Sequence, residues 1–261
     1  MKIALISNPC YENDFEKNVL ISEGLIADSL EKSIDLFLFG ETNLTGLEEK
    51  IKSERKYYSL DSVSKRVNAI TKKYNISVCM GFTEQIDRRF FINHFISSKG
   101  NLVGFQRKLF PGNPLLQKVY SSGKKVVMIP FMNKTICILA CADWLLPEPV
   151  FQTLMFEPDL VICPTDGYLW SGENLSVLPV LAKSMSLNLN APCVISFKST
   201  YSNNENHRKL FSGLAYDCNG NELMKKAKES NETRVEILNI DLNQKQKKWG
   251  GSKFRFDYLN Q

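Results

Sequence analysis

Cys141 is the residue of this 261-residue sequence best placed to act as a nucleophile. It stands where the apolar run Thr135–Ala140 breaks into the turn-prone Cys141-Ala-Asp-Trp-Leu-Leu-Pro-Glu148. The run is short, apolar on both parities and bounded by breakers, which predicts a fully buried strand. Pro147 followed by Glu148 predicts a helix start, since proline fits a first helical turn and an acid suits the dipole there. A cysteine between the two projects its sulfur past the sheet edge, near backbone N–H groups that stabilise a thiolate or hold an oxyanion. The competing reading is an inert core thiol, the commoner fate of a buried cysteine.

Two more polar residues stand at strand ends. Glu41 follows the apolar Asp35-Leu-Phe-Leu-Phe-Gly40, at the carboxyl end where α/β proteins place their chemistry. Lys108 leaves Gly104-Phe-Gln-Arg-Lys-Leu-Phe110 for the breaker Pro111-Gly-Asn-Pro114. A surface glutamate and a solvated loop lysine are the default readings of each. A thiol with a pKa of ~8.5 is mostly protonated at neutral pH and wants a base. The chain has only two histidines, His94 and His207, so a carboxylate is the proton acceptor to look for, and Glu41 fills that role.

Strands alternating with helices must position these residues. Strands are predicted at Lys2–Ser7, Asp35–Phe39, Ile76–Phe82, Asp159–Cys163, Cys193–Phe197 and Arg234–Ile240. Phe90–Ser97 and Leu102–Gln106 form a hairpin around Ser98–Asn101. Lys125–Phe131 and Thr135–Ala140 flank a turn at Met132–Lys134, and Leu214–Tyr216 with Glu222–Leu223 form a hairpin around Asn219-Gly220. Apolar spacings predict helices over Asp14–Leu30, over Val63–Tyr74 with Ser59 or Asp61 as cap, through Val150–Met155, and over Leu175–Asn188. Hairpins among strand–helix units imply mixed sheets in an α/β fold, and one domain over residues 1–261 is expected.

Composition narrows the function classes. A hydrophobic content of 43% and a charged content of 23% are those of a globular protein. The net charge of +5 is spread along the chain rather than gathered into a basic stripe with aromatics, so no nucleic-acid partner is expected. The cysteines, at 10, 79, 137, 141, 163, 193 and 218, are odd in number and contain no Cys-x-x-Cys pair, which argues against a disulfide framework and a zinc site. A reducing cytoplasm fits them. The N-terminal apolar run is too short for a signal peptide, and no stretch is long enough to span a bilayer.

Taken together, Gly40-Glu41, then Arg107-Lys108-Leu-Phe110, then an apolar strand ending in Cys141-x-Asp143-x-x-x-Pro147-Glu148 resembles the nitrilase, or carbon–nitrogen hydrolase, superfamily. Asn93 resembles the asparagine of that family's N-[ST]-A strand. Asp159-Leu-Val-Ile-Cys-Pro164 resembles its strand after the nucleophile, and Ile237–Asp241 its closing strand. Phe211–Gly220 resembles its late hairpin, with Gly213 where serine usually falls.

The resemblance implies a single-domain α-β-β-α sandwich with mixed sheets and a Glu41–Lys108–Cys141 triad without metal or cofactor. Glu41 deprotonates Cys141 and later protonates the leaving ammonia, while Lys108 and the backbone N–H of Ala142 hold the oxyanion. Trp144 and Asp166 fall where family members line the pocket. Asp166 hints at a cationic substrate, and the alternative for it is a helix cap. The family's second glutamate is missing: its place falls on Leu116, with Gln117 the nearest polar residue.

The expected activity is hydrolysis of a small linear amide or N-carbamoyl compound through a thioester, releasing ammonia. Transfer of the same acyl group to an amine, or an inactive nitrilase-fold binding or assembly protein, are the alternatives. The resemblance also implies a homodimer or larger homo-oligomer packed through helical layers, with the aromatic tail Trp249–Tyr258 reaching a neighbour or its own sheet.

Overall fold

The central strands are apolar on both parities, as in Leu36–Phe39 and Leu160–Asp166, so each of their two faces is buried against a different layer. The computed structural model describes residues 1–47, 57–166, 177–201, 210–211, 213–224, 229–230 and 233–244. In chain order the strands are β1 (Lys2–Ser7), β2 (Pro9–Tyr11), β3 (Leu36–Phe39), β4 (Ser77–Ile86), β5 (Arg89–Ser98), β6 (Asn101–Arg107) and β7 (Met128–Phe131). They continue with β8 (Lys134–Ile138), β9 (Leu160–Asp166), β10 (Cys193–Tyr201), β11 (Leu210–Phe211), β12 (Leu214–Tyr216), β13 (Glu229–Ser230) and β14 (Arg234–Asn239). The helices are α1 (Phe15–Ala27), α2 (Leu60–Tyr74), α3 (Pro114–Val119), α4 (Pro147–Phe156) and α5 (Leu178–Leu189).

One sheet runs β14-β1-β3-β4-β5-β6, and the other runs β12-β10-β9-β8-β7. Both are mixed. β1, β3 and β4 are parallel, as are β8, β9 and β10, while hairpins and the returning β14 add antiparallel edges. Ile3, Leu5, Leu36 and Leu38 of the first sheet pack against Ile136, Ile138, Leu160 and Ile162 of the second. The opposite parity of the first sheet, including Ala4, Ile6, Phe37 and Phe39, meets α1 and α2 through Val19, Ile26, Val63 and Val67. On the second sheet Cys137, Val161, Cys163 and Ile195 meet α5 through Leu178, Ala182 and Met185. These contacts define an α-β-β-α sandwich. Burying this many aliphatic side chains stabilises the layers at ~25 cal/mol per Å² of apolar surface removed from water.

Caps set the ends of the helices. Ser59 Oγ accepts the Ser62 N–H at 3.2 Å, and Asn75 closes α2 in the left-handed region at φ 54°. The expected Asp14–Leu30 helix stops at Ala27, and Leu30–Lys32 form a separate 3-10 turn. Two expected strands are longer: Ile76–Phe82 runs on to Ile86, and Asp159–Cys163 runs from Leu160 to Asp166. Asp166 therefore ends a strand. The short α3, where no element was expected, forms because Asn113 Oδ1 accepts the Leu115 and Leu116 N–H groups and Pro114 fits its first turn. Residues 245–261, including the Trp249–Tyr258 tail, lie outside the described residues.

Candidate active site

The two sheets touch at the carboxyl ends of their parallel strands. Ser196 Oγ donates to Phe39 O at 2.8 Å, and the Glu41 N–H reaches Thr165 O at 3.4 Å. Gly40 makes this approach possible, because a Cβ there would overlap the Lys198 N and come within 2.6 Å of the Phe197 carbonyl carbon. Glu41 follows at once and is wholly buried. Lys108 leaves β6 with its N–H bonded to Ile92 O and its carbonyl accepting the Gly123 N–H, both at 2.8 Å. Its Nζ donates to Glu41 Oε1 at 2.6 Å across 67 residues of sequence. Burial opposes the charged form of Lys108, yet the carboxylate of Glu41, helped by Cys141 and Asp143, raises its pKa above the ordinary value. The ammonium is fixed.

Cys141 opens a 3-10 turn, Cys141–Leu145, directly ahead of α4. Its φ of 44° lies in the left-handed region, a strained conformation that costs a non-glycine residue about 1–3 kcal/mol and clusters at functional sites. Thr42, directly after Glu41, shares that conformation at φ 46°. The turn's first bond runs from the Asp143 N–H to Ala140 O at 3.0 Å, so the Ala142 N–H stands outside the turn's own bonding. Burial pushes the Cys141 thiol up to about 12; Glu41 adds to the rise, while Lys108 and the Asp166 backbone N–H oppose it. The resting nucleophile is thus a thiol. The nearby N–H groups, expected from sequence to favour a thiolate, are outweighed by desolvation.

Other residues hold this arrangement. Asp143 accepts the Leu109 N–H at 3.0 Å and the Phe110 N–H at 2.7 Å, one on each oxygen, tying the nucleophile turn to the lysine loop. Burial raises its carboxyl to about 7 against the opposing effects of Lys108 and those two N–H groups. Glu84 accepts Arg107 Nε at 2.7 Å and Nη2 at 3.1 Å, and also Asn93 Nδ2 at 2.9 Å, so the family-like asparagine anchors the strand that delivers Lys108. His94 is buried over Gly81, where any Cβ would come within 2.6 Å of its ring. Burial and then Lys108 drive its pKa down to about 3, so it is neutral.

The structure places the remaining candidates differently from one another. Asp166 reaches Cys141 through its backbone N–H, and its side chain accepts Lys198 Nζ at 2.7 Å in a second buried ion pair. Trp144 is buried in the apolar layer beside Leu139, Cys163 and Leu178, on the α5 side of the second sheet. Gln117 is exposed on α3, and its amide donates to Gly112 O at 2.7 Å. Leu116, at the place of the missing glutamate, packs with Ile92 and Tyr120. At Gly213 a Cβ would overlap the Leu5 side chain and approach Ile195 O at 2.9 Å, which explains why no serine stands there.

Sequence reasoning missed Lys198 and gave Asp143 no role. Lys198 had the signal that marked Glu41, a charge at the end of an apolar run.

The family model for carbon–nitrogen hydrolase matches residues 2–211, and the chain belongs to that family, the nitrilase superfamily. No curated protein matches the chain. Among solved structures it resembles a cysteine-to-alanine mutant of a Nesterenkonia AN1 amidase from the nitrilase superfamily. That match has 15% identity and a TM-score of 0.79, and it covers 99% of this chain and 97% of the other. A glutamate-to-glutamine mutant of the amidase, in which acrylamide has added to the active-site cysteine, matches with 15% identity and a TM-score of 0.77 over 99% and 100% of the two chains. A further such mutant carries the acetamide moiety of fluoroacetamide on that cysteine, at 16% identity, a TM-score of 0.78 and coverage of 99% and 97%.

Proposed function

We propose that this chain hydrolyses the C–N bond of a small linear amide or N-carbamoyl compound through a thioester on Cys141. The observation that carries the reading is the buried Glu41–Lys108 pair, whose two charges both act on the Cys141 thiol. The reaction follows from where protons can go. As Sγ attacks the carbonyl carbon, its proton passes to the Glu41 carboxylate. The carbonyl oxygen becomes an oxyanion, held by the Lys108 ammonium and the Ala142 N–H. Glu41 then gives its proton to the amide nitrogen, the C–N bond breaks and ammonia leaves a thioester behind. Glu41 next takes a proton from water as it attacks; the acid departs and the thiol is restored.

Acrylamide and fluoroacetamide on the cysteine of the Nesterenkonia amidase support a small amide as the substrate. The outward apolar side chains of α4 and α5, Phe151, Phe156, Val180 and Leu187, support a homodimer through that helical layer.

The test is ammonia release from short aliphatic amides and N-carbamoyl amines, with mass spectrometry of Cys141 after rapid acid quench. A Cys141-linked acyl group and ammonia, both absent in Cys141→Ala, are expected. Product formed only when an amine acceptor is supplied would replace hydrolysis by transfer, and no adduct with any substrate would leave a binding protein.

A further inference from the structure

β4 grips both the segment that carries Glu41 and the strand that delivers Lys108. The chain after Glu41 lies along β4: the Gly81 N–H donates to Asn43 Oδ1 at 2.9 Å, the Leu44 N–H to Gly81 O at 3.0 Å and the Thr83 N–H to Thr45 Oγ1 at 2.9 Å. The next residue of β4, Glu84, reaches toward β5 and β6. Its Oε2 accepts Arg107 Nε at 2.7 Å and Asn93 Nδ2 at 2.9 Å, and its Oε1 accepts Arg107 Nη2 at 3.1 Å. Glu84 itself touches neither the thiol nor the Glu41–Lys108 pair in any of these bonds.

Register explains why these three side chains meet. Glu84 stands opposite Phe91, and Asn93 stands opposite Phe82 on one side and Arg107 on the other. Successive side chains of a strand point to opposite faces, so Glu84, Asn93 and Arg107 share the face on which Phe82, Phe95 and Phe105 meet the helices. The Lys108 N–H continues the ladder to Ile92 O at 2.8 Å, and its side chain turns to the other face and Glu41. Arg107 is held on several sides: its guanidinium lies over the Phe91 and Phe105 rings at 5.2 and 5.0 Å, and its carbonyl accepts Gln106 Nε2 at 2.6 Å. The Glu84 side chain is 3% exposed and that of Arg107 29%. An apolar pair would join the strands without the desolvation cost of a buried carboxylate. A two-pronged ion pair adds direction, because each oxygen fixes its own N–H.

We infer that Glu84 is a positioning residue for the proposed reaction: through Arg107 it fixes the backbone from which the Lys108 ammonium is aimed at Glu41 and at the oxyanion. This rests on the proposed triad and deepens it. The same strand that holds the base segment at Gly81 and Thr83 holds the lysine segment at Glu84, so one element sets the distance between the two charges.

The test separates position from packing. Glu84→Gln keeps the length of the side chain and removes its charge, and Arg107, already in part exposed, is free to turn to water. Adding Arg107→Met removes the second charge while an unbranched apolar chain still covers the two rings. Wild type, single and double variants are compared in ammonia release, in the rate at which iodoacetamide alkylates Cys141 at neutral pH, and in urea midpoint. Both variants are expected to lose about 10–100-fold in kcat with KM within about two-fold, because a misaimed lysine costs transition-state binding. Alkylation of Cys141 is expected to slow several-fold, since Lys108 opposes the rise of the thiol. The double variant is expected to regain the urea midpoint without regaining kcat. Unchanged kcat in a folded variant, or a change in KM alone, would make Glu84 a packing residue and overturn the inference with the triad left standing. If the wild type releases no ammonia from any amide, the hydrolase reading falls, and the alkylation rates judge Glu84 alone: slower rates uphold its role and equal rates overturn it. Should Glu84→Gln fail to fold by circular dichroism, the double variant decides; should both fail, the pair is a folding element and the inference is overturned.

Discussion

Asp143 accepts the Phe110 N–H at 2.7 Å, so the carboxylate two residues after the nucleophile grips the backbone two residues after the lysine. With the Leu109 N–H on its other oxygen, it makes the position of Lys108 depend on the turn that carries Cys141. An ionised carboxylate accepts both bonds, while a neutral acid has given one oxygen's proton-free face away. Because burial raises this group to about 7, the clamp tightens as pH rises through neutrality. Activity is expected to climb with an apparent pKa near 7. Asp143→Asn is expected to lower kcat by about 10–100-fold with a smaller change in KM, because a misplaced oxyanion donor costs transition-state binding. A steady-state pH profile of both proteins checks this; an unchanged acid limb in the variant would remove Asp143 from it.

Glu41 is expected to serve two needs that a Glu41→Gln variant separates. With the thiol raised to about 12, loss of the base leaves Cys141 protonated at neutral pH, and kcat is expected to fall by about 10²–10⁴-fold. The same change strands a buried ammonium, at a cost of about 3–5 kcal/mol in unfolding free energy. Adding Lys108→Met to Glu41→Gln is expected to restore stability without restoring activity. Urea unfolding and ammonia release, measured on the same preparations, read the two effects apart.

The sequence displayed most of the scaffold because the fold is built from signals of local origin. The strand Lys2–Ser7 and the helix start at Pro147 stand where a short apolar run and a proline placed them. Glu41 and Cys141 could be found because each ends an apolar run at a strand end, and Lys108 because it leaves a strand for the breaker Pro111–Pro114. What escaped needed distance in space. The Asp166–Lys198 match depends on the register of β9 against β10, and nothing within either strand reports register. The Asp143 clamp depends on where the loop after β6 passes the 3-10 turn, some 34 residues away in sequence. Gln117 was chosen as the polar residue nearest to Leu116, but Asn113 starts a helix there that turns it outward.

His94 is expected to make the protein acid-sensitive. Its pKa is about 3 in the folded chain, chiefly through burial and then through Lys108, against 6.5 for the ordinary group. The unfolded chain therefore binds a proton that the folded chain refuses between those values. The stability tied to neutral His94 is complete above pH 6.5 and is lost as pH falls toward 3. The slope of one such proton is about 1.4 kcal/mol per pH unit. Between pH 7 and 4.5 the wild type is expected to lose about 2–3 kcal/mol more than a His94→Gln variant, read from urea midpoints at each pH. Parallel losses in the two proteins would show that His94 titrates freely.

The helical layer over the second sheet is expected to carry the subunit contact. Phe151 and Phe156 of α4 are 54% and 57% exposed, and Val180 of α5 is 65% exposed. Apolar side chains of this size left exposed on α4 and α5 point to an interaction surface. Light scattering is expected to give the mass of two chains or a multiple. Phe151→Asp is expected to yield single chains with unchanged far-ultraviolet circular dichroism. A monomeric wild type would assign the patch some other partner.

Two glycines offer a paired test of how tightly the sheets must meet beside the base. Gly24 lies in α1, where a Cβ would meet nothing within 4 Å, so Gly24→Ala fills open space and removes backbone freedom from the unfolded chain. It is expected to stabilise by about 0.5–1 kcal/mol, with activity unchanged. Gly40→Ala places the same methyl against the Lys198 main chain and the Phe197 carbonyl carbon, neither of which can rotate away. The sheets must separate there, and the first casualties are the Ser196 bond to Phe39 O and the Glu41 bond to Thr165 O. A cost of about 1–3 kcal/mol is the usual penalty for overpacking. The loss of activity is expected to exceed that penalty, because Glu41 is the next residue and a displacement of ~1 Å costs about 10²-fold in rate. If Gly40→Ala retained full ammonia release, the close approach of β3 to β10 would matter to packing alone, and Glu41 would owe its placement to the Lys108 bond.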